Sequence, residues 1–431
     1  MATGRDRRQP VELKERIESL RRLVEVVTCG TAHGPAAGAP VQGASAVGAP
    51  GAPVPVFSAV PAPSGIARIA SDRFPLDHPH GSLRLGAALR AREVETRALA
   101  REPRPFPGFE RTVFLDLETT GLAGGTGTIT FLVGVGRFVD DSFLLQQFFL
   151  HDPADERAML ERLDGALRGV EAVVTFNGKS FDLPLLETRF ALNRMRCPLE
   201  DPFHLDLLAP SRRLWACVIG ECSLGSIERR VIGLDRGFDV PGWMIPGIYA
   251  SYLRTGDEAE IHLVARHNRL DILSLAVLLA KASACLAVAA PPLSRNAHES
   301  VGAASIYESI GLCDEALRLY EEALDLGDAR EPVRSRALWG TLRLSKRRRN
   351  WDGCLHRARV LAGAETPDPE AWIEIAKHHE HRSRELDLAL EAALQALGLL
   401  DRAQHIPSGR RERLRSELNH RINRLRRRLG S

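Results

Sequence analysis

The chain has 431 residues, enough for roughly two to four domains of ordinary size. With 44% hydrophobic and 26% charged residues, it is excluded from the collagen-like, wholly disordered and disulfide-dense classes. Lys and Arg number 58 against 55 Asp and Glu, a formal charge of +3, so no global field commits the protein to nucleic acid or to an anionic membrane.

Only five of the basic residues are Lys, a skew that GC-rich coding produces unaided, so arginine content alone carries no functional weight. The seven cysteines (Cys29, Cys197, Cys217, Cys222, Cys285, Cys313, Cys354) are scattered and form no C-x-x-C pair. Neither a disulfide framework nor a zinc ribbon is indicated, and reduced thiols in a cytoplasmic protein are expected.

In chain order, Leu13, Ile17, Leu20, Leu23, Val24 and Val27 recur at helical spacing between charged residues, which predicts an amphipathic helix within 1–30. Charges spread through that segment, where a secretory signal would need an unbroken apolar core. Residues 31–66 are nearly all Ala, Gly, Pro, Val and Ser and predict a flexible linker. From about 106 to 290 strands and helices alternate. RTVFLDL, ITFLVGVGRF and SFLLQQFFL read as three strands, ERAMLERLDGALRGV as a helix, AVVTFN as a strand and PLLETRFALNRM as a helix. That order predicts an α/β domain over 67–290, with an antiparallel meander feeding a parallel portion. The apolar run LDILSLAVLLAKASACLAVAA is broken by Asp271 and Lys281 and falls short of the uncharged span of about 20 residues that crosses a bilayer, so no membrane partner is expected. Over 295–431 strands disappear. CDEALRLYEEAL, WDGCLHRARVLA and LDLALEAALQAL align at steps of 38 and 35, which bracket the roughly 34-residue tetratricopeptide period and predict an all-α tail with a basic last helix.

Four carboxylates stand where this map gathers ligands. Asp116 and Glu118 in FLDLETTGL lie two apart on a strand, so both point to one face. Asp182 in FNGKSFDLP follows a strand end. Asp271 in HNRLDIL sits four residues after His267, so on a helix the two share a face. Carboxylates crowded at one edge repel, and Mg²⁺ or Mn²⁺, which prefer oxygen ligands, would relieve that cost. A pair of such ions suits phosphodiester hydrolysis.

The set Asp116-x-Glu118, Asp182 and His267-x-x-x-Asp271 resembles the DEDD superfamily of 3′-to-5′ exonucleases. More closely, FLDLETTGLAGGTGTITFLVGVGRF, FNGKSFDLPLLETRF, HLDLLAPSRRLW, CSLGSIERRVIG, VPGWMIPGIYASYLRTGD and HNRLDILSLAVLL together resemble the bacterial YprB-type ribonuclease H-like domain family, in which a tetratricopeptide tail can follow. The resemblance implies a ribonuclease H-like mixed sheet flanked by helices, two Mg²⁺ or Mn²⁺ ions, and a nucleic-acid substrate, DNA or RNA. It implies that Asp116, Glu118, Asp182 and Asp271 bind the metals, and that Thr119, Thr120 and Leu122 meet the terminal nucleotide. Asn177 would help position substrate. His267 takes the place of the residue that orients or deprotonates the attacking water. Its spacing to Asp271, however, is that of the tyrosine branch of the superfamily and not of the histidine branch.

Other features compete for function. Gly124-Gly125-Thr126-Gly127 lacks the G-K-[ST] of a phosphate loop. Lys179, Arg212 and Arg213, and the basic runs at 343–350 and 410–430, can contact phosphates or simply face solvent. Two alternatives to an enzyme remain at this level: a nucleic-acid-binding module that retains the fold without catalysis, and a scaffold whose helical repeats recruit a protein partner.

Overall fold

The structure, a computed structural model, describes residues 55–121, 127–288, 295–364, 368–403 and 406–430. The predicted helix within 1–30 and the linker as far as 54 lie outside them. Two compact units result: Met1–Ala209 with Glu221–Lys281, and Pro210–Gly220 with Ala282–Ser431.

In the first unit, the described residues place seven strands in one mixed sheet. They are β1 (Ser58–Ala62), β2 (Gly65–Pro75), β3 (Thr112–Thr119), β4 (Thr130–Val139), β5 (Ser142–Phe149), β6 (Ala172–Thr175) and β7 (Phe203–Asp206). The spatial order is β1-β2-β5-β4-β3-β6-β7. The strands from β1 to β3 pair antiparallel, while β3-β6 and β6-β7 are parallel. The expected meander feeding a parallel portion is therefore present. Strands β1 and β2 begin inside the segment expected to be linker through residue 66: the Ala/Val-rich run pairs with the edge of β5 through β2, which composition alone did not indicate.

Helices α1 (Glu93–Ala100), α2 (Glu156–Leu167), α3 (Asp182–Leu192), α5 (Ile245–Thr255) and α6 (Ala259–Leu286) connect and cover the strands, whereas α4 (Leu208–Ile219) follows β7 in sequence and falls largely in the second unit. Val113, Leu115, Val133 and Val135 share a core with Met159, Leu160 and Leu163 of α2. Full burial of each such side chain contributes about 1.5–3 kcal/mol. Near-continuous burial along β3 marks a central strand covered on both faces. The opposite face of β4 carries glycines: a Cβ at Gly134 would lie 2.3 Å from Asn268 Oδ1, and one at Gly136 would lie 2.5 Å from Ile272 Cγ2. These two residues let α6 lie directly against the sheet backbone, which is what brings its side chains to β3.

The second unit is helical. After α4 come α7 (Ala297–Ser309), α8 (Cys313–Asp325), α9 (Val333–Arg347), α10 (Trp351–Ala362), α11 (Pro369–His378), α12 (Leu386–Arg402) and α13 (Ser408–Leu429). The Asn296 side chain caps α7 with a reciprocal Glu299 contact, and Asp368 caps α11. The repeat equivalents Ala316, Cys354 and Ala389 fall in α8, α10 and α12, the second helix of each successive pair, and all three are buried. A stripe of Leu418, Ile422 and Leu425 seats α13.

Candidate active site

Asp116 and Glu118 alternate on β3 and so point to the α6 face. They stand opposite Gly134 and Leu132 of β4, and the register shifts between Glu118 and Thr119, an irregularity of the kind that re-aims side chains beside active sites. Asp116 does not stand alone. The Asn268 amide donates to its Oδ2 at 2.8 Å and to its carbonyl at 3.2 Å. Gln147 Nε2 in turn donates to Asn268 Oδ1 at 2.8 Å and to the Ala265 carbonyl at 2.7 Å. Asn268 and Gln147 are fully buried, so this relay fixes the amide orientation and through it the carboxylate.

Asp182 opens α3, after a loop that leaves β6. The backbone N–H groups of Asp182 itself and of Leu117, between the two β3 carboxylates, bond its side chain. Asp206, at the end of β7, braces the same loop: its carboxylate accepts from the N–H of Asn177 at 2.8 Å, of Leu208 at 3.0 Å and of Lys179 at 3.1 Å. Asn177 takes the left-handed conformation (φ 71°) that Asn tolerates, and a Cβ at Gly178 would collide with Thr175 Oγ1 at 2.5 Å.

His267 and Asp271 project from α6 toward β3. His267 Nδ1 bonds Asp239 Oδ2 at 2.8 Å, and its Nε2 lies 3.3 Å from Asp271 Oδ2. The other oxygen of Asp271 receives Arg236 Nη2. Arg236 is almost wholly buried, with Nη1 on Asp239 at 2.8 Å and Nε on Glu228 Oε2 at 2.6 Å. Behind Glu228 stand Ser274 and, 2.7 Å from Ser274 Oγ, the neutral ring of His80, whose burial and proximity to Arg236 push it down to about 3. One ligand atom each of Glu118, His267 and Asp271 lies within 4.8 Å of the others.

The electrostatics describe a site short of positive charge. Burial, then the charges of Asp271, Glu118 and Asp182, hold Asp116 well above the ordinary carboxylate range, against the Asn268 hydrogen bond. Burial, with Asp271, Asp182 and Asp239 outweighing His267, pushes Glu118 up to about 8. Burial and the Asp206 charge push Asp182 up to about 7. Burial lowers His267, but Asp271, the Asp239 hydrogen bond and Glu118 together raise it to about 9. Carboxylates that must take up protons near neutrality are those a cation would stabilise, and an oxygen-rich donor set fits a divalent ion.

The predicted residues Asp116, Glu118, Asp182, His267 and Asp271 thus converge. Thr119 and Thr120 lie beside them, but their hydroxyls serve the backbone: Thr119 donates to the Gly121 carbonyl at 2.8 Å and Thr120 accepts from Ile129 N–H at 3.0 Å. Leu122 lies outside the described residues. Sequence reasoning missed Asn268, Asp206, Arg236, Asp239 and Glu228. Much of the two basic runs is engaged in ion pairs within the helical unit, including Arg343 with Glu308, Lys346 with Glu374, Arg410 with Glu370, and Arg421 and Arg424 with the buried Glu380. No helix among the described residues is long and apolar enough to cross a membrane.

A family model of the RNase_H superfamily matches residues 113–283, the stretch from β3 to α6 that builds this site. The chain is 29% identical over 329 residues, 75% of its own length and 78% of the relative's, to the uncharacterized protein YprB of Bacillus subtilis (strain 168). Residues 113–283 therefore form a ribonuclease H-like domain. Among solved structures, the chain is similar to the family B DNA polymerase of the hyperthermophilic archaeon Pyrobaculum calidifontis, with a TM-score of 0.33 and 16% identity over 48% of this chain. It spans 30% of the polymerase chain.

Proposed function

We propose that the protein is a metal-dependent nuclease that hydrolyses phosphodiester bonds of DNA or RNA, acting as an exonuclease from the 3′ end. The observation that carries this reading is the convergence of four carboxylates from three elements, β3, α3 and α6, with the charge of Asp271 among the causes that raise Asp116, Glu118 and Asp182. Asp116, Glu118, Asp182 and Asp271 would hold two Mg²⁺ or Mn²⁺ ions, which when bound stabilise the charge that develops on the attacking and leaving oxygens of a phosphoryl displacement. The chain supplies the positioning. Asn268 fixes the Asp116 carboxylate, and Asp206 braces the loop on which Asn177 would meet substrate. Thr119 and Thr120 shape the turn after β3, and they, with Leu122 next in sequence to that turn, would meet the terminal nucleotide. His267 borders the same space with one nitrogen tied to Asp239.

The test is a panel of end-labelled single-stranded and duplex DNA and RNA incubated with the protein in Mg²⁺ or Mn²⁺. A ladder shortening from the 3′ end is expected on at least one substrate. Internal fragments without a ladder would make the enzyme an endonuclease, and no product on any substrate would overturn the reading.

A further inference from the structure

The loop between Gly233 and Pro241 presents Asp239 to His267 in a specific way. Asp239 Oδ2 takes Nδ1 of the ring at 2.8 Å, while Arg236 holds that same carboxylate oxygen at 2.8 Å. With Nδ1 engaged, the only nitrogen left to act is Nε2, which faces Asp271 Oδ2 at 3.3 Å. Arg236 also occupies Oδ1 of Asp271, so that Oδ2 is the oxygen turned toward the imidazole. Glu118 completes the group within 4.8 Å. A carboxylate on one imidazole nitrogen, with the other nitrogen aimed among carboxylates, is the arrangement by which metal-binding histidines are fixed in tautomer and orientation.

We propose that Asp239 is a positioning residue that presents His267 Nε2 as a nitrogen donor to a divalent ion shared with Glu118 and Asp271, and that this position therefore takes Mn²⁺ in preference to Mg²⁺. The proposal rests on the cation-site reading above and deepens it by moving His267 from the attacking water to the ion. Mg²⁺ holds to oxygen ligands and near-ideal octahedral geometry, whereas imidazole favours the first-row transition ions. A purely carboxylate site would draw no benefit from Asp239. Here Asp239 is partly buried beside a guanidinium that itself pairs with Glu228 and Asp271, so its position is set from two sides.

The experiment loads the full-length protein with Mn²⁺ and reads ¹⁴N coupling by pulsed electron paramagnetic resonance, with Mn²⁺ and Mg²⁺ affinities measured by equilibrium dialysis. Imidazole nitrogen coupling is expected in the wild type and is lost in His267→Ala. Asp239→Asn weakens Mn²⁺ binding about 10- to 100-fold, with a smaller effect on Mg²⁺, and Asp239→Glu restores part of the loss. Circular dichroism melts confirm that each variant is folded, and the wild-type coupling stands independently of any variant. A bound Mn²⁺ without nitrogen coupling in the wild type, Mg²⁺ bound as tightly as Mn²⁺, or Asp239→Asn binding Mn²⁺ like the wild type would each overturn the proposal. Neither readout needs turnover: nitrogen-coordinated Mn²⁺ in a protein that cleaves no nucleic acid would sink the nuclease reading and support this one. Failure of the wild type to bind Mn²⁺ would overturn both.

Discussion

Asn268 reaches from α6 to β3 and holds Asp116 by both its side chain, at 2.8 Å, and its main-chain carbonyl, at 3.2 Å. Because Gln147 fixes the amide from behind, Asn268→Ala strands a buried donor as well as freeing the carboxylate. We expect a stability loss of about 1–3 kcal/mol in thermal denaturation, and a fall in metal-dependent cleavage larger than that destabilisation explains at a temperature where the variant is folded. Full activity in a folded Asn268→Ala protein would show that Asp116 needs no such support.

Asp182→Asn separates metal binding from folding. The substitution keeps the volume and removes a charge that is already unfavourable among Asp206 and Asp271. Metal-free thermal stability should be unchanged or raised, while divalent-ion affinity and hydrolysis collapse. A variant with wild-type turnover would remove Asp182 from the site.

The metal-free protein should lose stability on the alkaline side. Glu118 is held up to about 8 against an ordinary 4.5, Asp182 up to about 7 against 3.8, and His267 up to about 9 against 6.5. Each folded value exceeds the ordinary one, so each group favours the fold most when protonated and gives up that contribution as pH rises through its folded value. Calorimetry without metal should show a higher melting temperature at about pH 6 than at about pH 9.5 from these groups. Added Mn²⁺ should restore the alkaline loss and release protons on binding. A metal-free profile flat across that range would contradict the electrostatic description.

Gly134 sets the distance between α6 and the sheet. A methyl group there would lie 2.3 Å from Asn268 Oδ1 and 2.9 Å from Ile272 Cγ1, both on a long buried helix that cannot yield locally. Gly134→Ala should cost about 1–3 kcal/mol by overpacking and reduce activity further by displacing His267 and Asp271. Gly165, with nothing within 4 Å of its added Cβ, is the control, and Gly165→Ala should be nearly silent in both assays.

What was legible in the sequence follows from range. Asp116-x-Glu118 and His267-x-x-x-Asp271 could be read because strand and helix periods put each pair on one face within a few residues. The strand and helix order from β3 to α3 was legible for the same reason. Asp239, Arg236, Glu228 and Asp206 were not, since each is tied to the site by contacts about 30 residues or more away in sequence, from a loop, a short helical turn or a strand end too brief to show a period. The glycines of LVGVGRF were the overlooked signal: Gly inside a strand marks a close approach of another backbone, here α6. The first strand, SAVPA, escaped because an Ala/Pro/Val composition reads as linker even where pairing with β2 adds it as an edge. In the helical unit Ala316, Cys354 and Ala389, aligned by the sequence pattern, are small buried residues on α8, α10 and α12.

The central claim is that these carboxylates form a divalent-cation site that hydrolyses nucleic acid. The most direct measurement follows 5′-labelled single-stranded and duplex oligonucleotides over time with Mn²⁺, comparing wild type with Asp116→Asn at matched folded concentration. The account predicts progressive 3′ shortening by the wild type, abolished by chelation and by Asp116→Asn, with the variant's metal-free melting temperature no lower. Equal cleavage by Asp116→Asn, or no cleavage of DNA or RNA by the metal-loaded wild type, would contradict it.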